Sequence, residues 1–579
     1  MHGGHLHARV GCSLTTQSRK AFKDCNHLIS ESQSKAIRLQ CLRTHGGAPP
    51  FSRKLQGSIF IYMVSSEMNP QRRQFLARAS IAAAAWFHPR VGISFAEAIE
   101  HFDDVQDAPP DSRGTNRFLS GNFAPVSKEI RARNLPVVGK IPEPLRGTLV
   151  RNGPNPQFQP LGKYHWFDGD GMLHAVSFSD SGVHYQNRYI ATEGFLKEKK
   201  VGRSLYRGLL EPPDIAMALA GLNPYKNSAN TSVVYHGNRL LALWEAGSPY
   251  ELRIDDLETL GKMDFAGKVT HPFTAHPKID PKTGEMLTFG YLPNEPFLMM
   301  SQIDASGTWL RTSKIPVSHP TMVHDFAITE RFAVFPLCPL RFDVSRLLRG
   351  SVPWHFNQSV PTQFAVVSRS DPSQVQLFEA DTCFVFHLLN AFEKSVKPSD
   401  GETTRNGQIE LVGCRYEQFP GSLNFGDADD ASASDQAIPY RWILDLDSGR
   451  VREEKLDEVT AEFPRINEAY TGSPNRYGFF GLGDDEFFHG FKKMDLASGR
   501  SMTIEMAPGY HCGEGIFTAD RNGDGEDAGW LLSFVYVAET KRSELWVLDA
   551  KSFDPEPVAK VILPERVPYG FHGTWIPKA

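Results

Sequence analysis

The sequence is poor in the patterns that mark most metal, redox and membrane proteins. Its seven cysteines contain no CxxC pair, which excludes a thiolate metal site and a disulfide scaffold. Once the first 67 residues, with Cys12, Cys25 and Cys41, are set aside, Cys338, Cys383, Cys414 and Cys512 remain. Beyond residue 67 there is no HExxH and no HxH. No segment has the uninterrupted apolar length of a spanning helix. Lys and Arg (62) nearly balance Asp and Glu (67), for a net charge of −5. With no polybasic signature, nucleic acid is excluded as an expected partner. Helical patterns are few, at 203–222 and 341–350.

What the chain does have is turn chemistry and apolar strands. Gly (48) and Pro (40) recur along nearly its whole length, which favours many short strands over a helical fold. "TSVVYHGNRLLALWE" (231–245) reads as a hairpin with a His-Gly-Asn turn. "RYGFFGLG", "GWLLSFVYVAE" and "SELWVLDA" read as further strands, and 424–436 as a solvated loop. "HPFTAHP" (271–277) and "HPTMVHD" (319–325) share His-Pro-x-x-x-His, an echo that suggests propeller blades. Five residues separate the histidines of each pair. In an extended strand only one of each pair can face a common centre.

The N-terminal region is of another kind. Residues 68–96 contain Arg72-Arg73, then Gln74, Phe75 and Leu76, then an alanine-rich run ending in "SFA". That is the pattern of a twin-arginine export signal with a cut after Ala96, and it implies a periplasmic protein. The competing reading is a short buried helix, in a protein that is cytoplasmic or peripheral to a membrane. A signal should begin a protein, so residues 1–67 are expected to be an upstream extension or another presequence. Residues 97–117 read as a linker, and 118–579 as the folded domain.

Of the 20 histidines, His276, His324, His387 and His572 each lie in or beside a strand-like apolar segment. Taken singly, each could equally be a satisfied core histidine. Motifs add to that reading. "RNGPNPQF" with "YHWFDGDGMLHAV" (151–176), "TAHPKIDPKTGE" (274–285), "MVHDFAITE" (322–330), "FHLLNAFE" (386–393), "EFPRIN" (462–467) and "GFHGTW" (570–575) occur in order. Together they resemble the carotenoid cleavage oxygenase family.

The resemblance implies an all-β, seven-bladed propeller with a helical and loop cap over the metal face. It implies Fe(2+) held by His276, His324, His387 and His572. By motif, Glu245, Glu462 and Glu514 accept hydrogen bonds from three of those histidines; each alone could be a strand-end surface residue. The implied reaction is O2-dependent cleavage of a C=C bond in a carotenoid or apocarotenoid, giving carbonyl products. Stilbene cleavage, non-oxidative isomerisation and simple pigment binding are the rivals. Trp244 stands where stilbene-cleaving members carry a lysine, so it is expected to line an apolar tunnel or merely to pack. Cap insertions are expected near 199–226 and 336–356, packed on the propeller or dipping into a bilayer. "DRNGDGEDAGWL" (520–531) starts like a calcium loop but has Leu531 at position twelve, so it reads as a turn. "FDGDGM" (167–172) likewise reads as a turn. His165, His174, His236, His271 and His319 read as structural or surface residues.

Overall fold

The computed structural model describes residues 116–578 apart from 163, 210, 212–224, 293–294, 344–345, 347–353, 396–406, 421–435 and 484–487. The expected leader, the segment before it and residues 97–115 lie outside the described residues. So do 424–435 and most of 203–222 and 341–350.

The described chain is nearly all β. The hairpin at 231–245 shows how local chemistry sets it. Ser232–His236 pairs with Arg239–Leu243 through a two-residue turn. Gly237 (φ 56°) and Asn238 (φ 59°) are both left-handed, a twist that suits paired strands and that Gly and Asn tolerate. Tyr250–Leu252 and Thr259–Lys262 complete a four-stranded antiparallel sheet.

The pattern repeats along the chain. One sheet runs Lys278–Ile279, Met286–Tyr291, Phe297–Ile303 and Trp309–Pro316. The next runs Ala327–Ile328, Phe332–Leu337, Thr362–Ser368 and Val375–Ala380. Another runs Phe384–Lys394, Gln408–Tyr416, Ile438–Asp445 and Val451–Lys455. A ten-stranded assembly follows, from Ala461–Arg465 round to Ala559–Ile562 and Val137–Gly139. Within it the short strand Tyr510–Cys512 bonds both Phe488–Asp495 and Gly529–Val537. It thereby fuses two successive meanders, so the hydrogen bonding does not divide into seven sheets of blade size.

The remaining large sheet joins distant parts of the sequence. Gly573–Pro577 pairs antiparallel with Gly147–Pro154, beside Gly171–Ser179, Gly182–Tyr189 and Arg131–Ala132.

The core lies between neighbouring sheets. Phe289 of one sheet meets Phe326 and Phe335 beside the next, all fully buried. Each such side chain contributes about 1.5–3 kcal/mol by leaving water.

Two expectations need correction. Residues 203–209 are not helical; the helix is Glu193–Val201. Thr192 Oγ1 caps its start by accepting from the Phe195 amide, and Gly202 (φ 82°) ends it. Past that point the Leu205 amide donates to the Glu198 side chain and Ser204 Oγ to Gln159 O. These bonds hold the chain in a non-helical path. Residues 341–342 are also not helical: Leu340–Phe342 is a strand paired with Trp354–Phe356.

Candidate metal centre

Four elements deliver four imidazoles to one point. His387 lies within strand Phe384–Lys394, where the register shifts around it. His276 and His324 occupy loops just before the strands Lys278–Ile279 and Ala327–Ile328. His572 immediately precedes Gly573–Pro577, and its backbone is held on both sides. Its amide donates to Thr231 O at 3.1 Å, and its carbonyl accepts from the Asn152 amide at 3.1 Å.

One ring nitrogen from each histidine lies within 4.8 Å of the others. His276 Nε2 and His324 Nε2 are 3.0 Å apart, and His387 Nε2 and His572 Nε2 are 3.2 Å apart. The companion histidines of the echo go elsewhere: His271 meets Pro272 O and Ser301 Oγ, and His319 meets Ser318 Oγ. One histidine per pair faces the centre, but loops rather than strand alternation direct it there.

Three ligand rings have their other nitrogen on a carboxylate. His324 Nδ1 meets Glu245 Oε2 at 2.5 Å, His387 Nδ1 meets Glu462 Oε2 at 2.7 Å, and His572 Nδ1 meets Glu514 Oε1 at 2.9 Å. Each glutamate has a further partner that the sequence reading missed. Tyr291 OH donates to Glu245 Oε1, Tyr416 OH donates to Glu462 Oε1 at 3.2 Å, and Arg465 Nε donates to Glu514 Oε1 at 2.8 Å. Arg465 was visible in "EFPRIN", but its direction was not. In a regular strand Glu462 and Arg465, three apart, would face opposite sides. The register shifts between them, and Phe463 takes φ 51°. This bulge turns both side chains towards the site and lays Phe463 against His387 and His572.

Electrostatics favour the neutral imidazole at His276 and His572 and the ionised carboxylate at Glu514. Burial and the three neighbouring histidines hold His276 well below its ordinary range. Burial lowers His572 to about 4, against the pull of Glu514. For His324 burial also lowers, but Glu245 outweighs it and the ring is raised. Burial resists ionisation of Glu514, yet the charge of Arg465 and the hydrogen bond from His572 push it far below the usual carboxylate range. Burial and Glu245 push Tyr291 well up, so it remains a phenol that donates.

This donor set fits a divalent metal. With Nδ1–H given to a carboxylate, the Nε2 atoms of His387 and His572 carry lone pairs that face each other. A cation between them turns that repulsion into attraction. Bonds of roughly 2.1 Å at right angles would put adjacent nitrogens about 3 Å apart, close to the two separations found. Around the site, Glu245, Glu462, Glu514 and Asp325, counted as ionised, face Lys278 and Arg465. Imidazole nitrogen suits iron, copper, nickel or zinc.

The remaining sequence candidates are placed as follows. Trp244 is buried in the wall of a pocket that it shares with Phe158, Phe167, Leu209, Tyr206 and Lys226. The same lining holds Lys226 between Asp170 (2.9 Å) and Glu198 (2.8 Å). His165, His174 and His236 bond within the framework, to the Phe167 amide, Tyr185 OH and Gly284 O. Residues 520–528 turn between the paired strands Ile516–Ala519 and Gly529–Val537; of 167–172, Phe167 and Asp168 end the 3-10 helix Trp166–Asp168 and Gly171 and Met172 open the strand Gly171–Ser179, so only Gly169 and Asp170 link the two.

Residues 123–577 match the family model for retinal pigment epithelial membrane protein. Over 493 residues the chain is 36% identical to carotenoid 9,10(9',10')-cleavage dioxygenase 1 of Arabidopsis thaliana, spanning 79% of this chain and 89% of that one. The chain belongs to the carotenoid cleavage oxygenase family. This carotenoid oxygenase is also similar to a solved lignostilbene dioxygenase of Pseudomonas brassicacearum, with TM-score 0.72 and 30% identity over 80% of this chain and 99% of that one. Cobalt-substituted apocarotenoid oxygenase of Synechocystis matches with TM-score 0.70 and 31% identity, over 78% of this chain and 97% of that one.

Proposed function

We propose that this oxygenase is a non-haem iron(II) dioxygenase that cleaves a C=C bond of a carotenoid or apocarotenoid with O2, giving two aldehydes or related carbonyls. The observation that carries the reading is the convergence of four imidazoles, three of them held by glutamates. Bound ferrous iron supplies the activation of O2 for addition to the alkene. The chain's own residues do the rest. Glu245, Glu462 and Glu514 fix the tautomer and orientation of their histidines. Phe386 and Phe463, packed on the ligand rings, exclude water. Trp244 offers an apolar wall for a polyene.

The same reading takes each four-stranded meander as a blade, the fused sheet as two, and the sheet containing Gly573–Pro577 as the closing blade, seven in all. The described parts of the segments near 199–226 and 336–356 are taken as belonging to the cap and as the surface that meets a membrane. Residues 68–96 direct export. Fractionation of Arg72→Lys with Arg73→Lys tests that last point, and unchanged export would refute it.

Likeness to the lignostilbene dioxygenase supports a second reading, a stilbene substrate on the same site. One experiment separates them: carotenoid, apocarotenoid and hydroxystilbene substrates incubated with and without O2, with oxygen uptake and product masses recorded. Two carbonyl products from a polyene, formed only with O2, are expected. Cleavage of the stilbene alone favours the second reading, and a product formed without O2 overturns the oxidative reaction.

A further inference from the structure

Among the described residues His276 pairs with no glutamate, yet it meets the other three rings. A different carboxylate, Asp325, bonds residues beside these ligands. It adjoins His324 and is 1% exposed. Its Oδ1 pairs with Lys278 Nζ at 2.8 Å, and Lys278 lies two residues after His276. The same Oδ1 accepts from the Phe326 amide at 2.8 Å. Its Oδ2 accepts from the amide of Leu388, next to His387, at 2.9 Å.

We infer that Asp325 is a positioning residue for the metal site: one carboxylate sets the spacing of His276, His324 and His387, with Lys278 as its arm towards His276. The inference rests on the metal reading above. Three donors converge on Asp325 and no acceptor does, so only a group with two acceptor oxygens satisfies them. An asparagine would turn its NH2 against either Lys278 or the Leu388 amide. Loss of Lys278 would leave a buried carboxylate without its ion pair.

The test is titration of full-length apoprotein with Fe(II) and with Co(II), whose visible absorption reports coordination geometry. Wild type should bind one ion per chain. Asp325→Asn should bind about 10–100-fold more weakly, as outer-shell losses do, with an altered Co(II) spectrum. Lys278→Met should shift affinity the same way, and Lys278→Arg should restore it. Where Asp325→Asn does not fold, the two Lys278 variants decide, and equal affinity of Met and Arg forms overturns the inference. Wild-type affinity and spectrum in both Asp325→Asn and Lys278→Met also overturn it, leaving the metal reading intact. A wild-type protein that binds neither ion overturns both.

Discussion

Arg465 and His572 share one oxygen atom: Glu514 Oε1 accepts from Arg465 Nε at 2.8 Å and from His572 Nδ1 at 2.9 Å. The other two glutamates are backed by tyrosines, so among the described residues this glutamate is the one backed by a cationic side chain. Arg465 Nη2 also donates to Gly573 O at 2.8 Å, which ties the same guanidinium to the segment that presents His572. Arg465→Gln should destabilise the apoprotein by about 3–5 kcal/mol, because it leaves Glu514 buried without its cation. Denaturant unfolding measures this, and a loss near zero would show that the pair holds nothing together.

Removing charge while keeping shape should separate tuning from folding at Glu462. Glu462→Gln can still accept from His387 Nδ1 and can meet Tyr416 through its NH2, so unfolding should change little. Iron affinity or turnover should fall about 10–100-fold. By contrast His324→Ala removes a donor nitrogen and should lose iron and activity together. Iron analysis of the purified variants beside wild type checks both outcomes.

Acid should weaken the fold through His165. Burial, with the Arg117 charge second, lowers this ring from 6.5 to about 3. Its Nδ1 accepts from the Phe167 amide, a bond that protonation abolishes. The unfolded chain therefore binds a proton that the native chain refuses. Stability is full above about pH 6.5 and falls as pH drops towards 3. Its neighbour Asp168 acts oppositely: burial raises it to about 6, so acidification between 6 and 3.8 stabilises through that group. His165→Asn keeps a capping acceptor and cannot titrate. Its melting temperature should decline less steeply than wild type between pH 6.5 and 4.5, and parallel curves would refute the assignment.

Gly570 should not tolerate a side chain. A Cβ there would lie 1.7 Å from Arg151 Nη1 and 2.8 Å from Asn152 O. Arg151 is itself buried and bonded to Pro568 O, and Asn152 holds the backbone at both Phe571 and His572. Gly570→Ala should cost about 1–3 kcal/mol by overpacking and should also weaken iron binding. Unfolding and metal titration of the same sample test the two effects.

What was legible in the sequence followed local rules. The Gly237-Asn238 turn and the apolar runs beside it specify a hairpin without help from the rest of the chain. The four histidines and three glutamates were found through motifs, and the structure brings all seven together. Arg465, Tyr291, Tyr416 and Asp325 escaped because their direction depends on long-range packing. A bulge turns Arg465 inward, and only Phe463-Pro464 hints at it. Helix Glu193–Val201 escaped because it is short, although Thr192, its late lysines and Gly202 were a usable signal.

The pairing of Gly573–Pro577 with Gly147–Pro154 also has a kinetic consequence. Contacts beside it span almost the whole domain, as from Arg566 to Asn122 across 444 residues. Closing so long a loop is entropically costly until the intervening chain has already condensed. The junction therefore forms late in folding, and His572 arrives with it. An intermediate lacking only this seam presents three donors, not four. Tight metal uptake is therefore expected to lag the bulk of refolding, and metal binding followed during refolding beside backbone structure checks it.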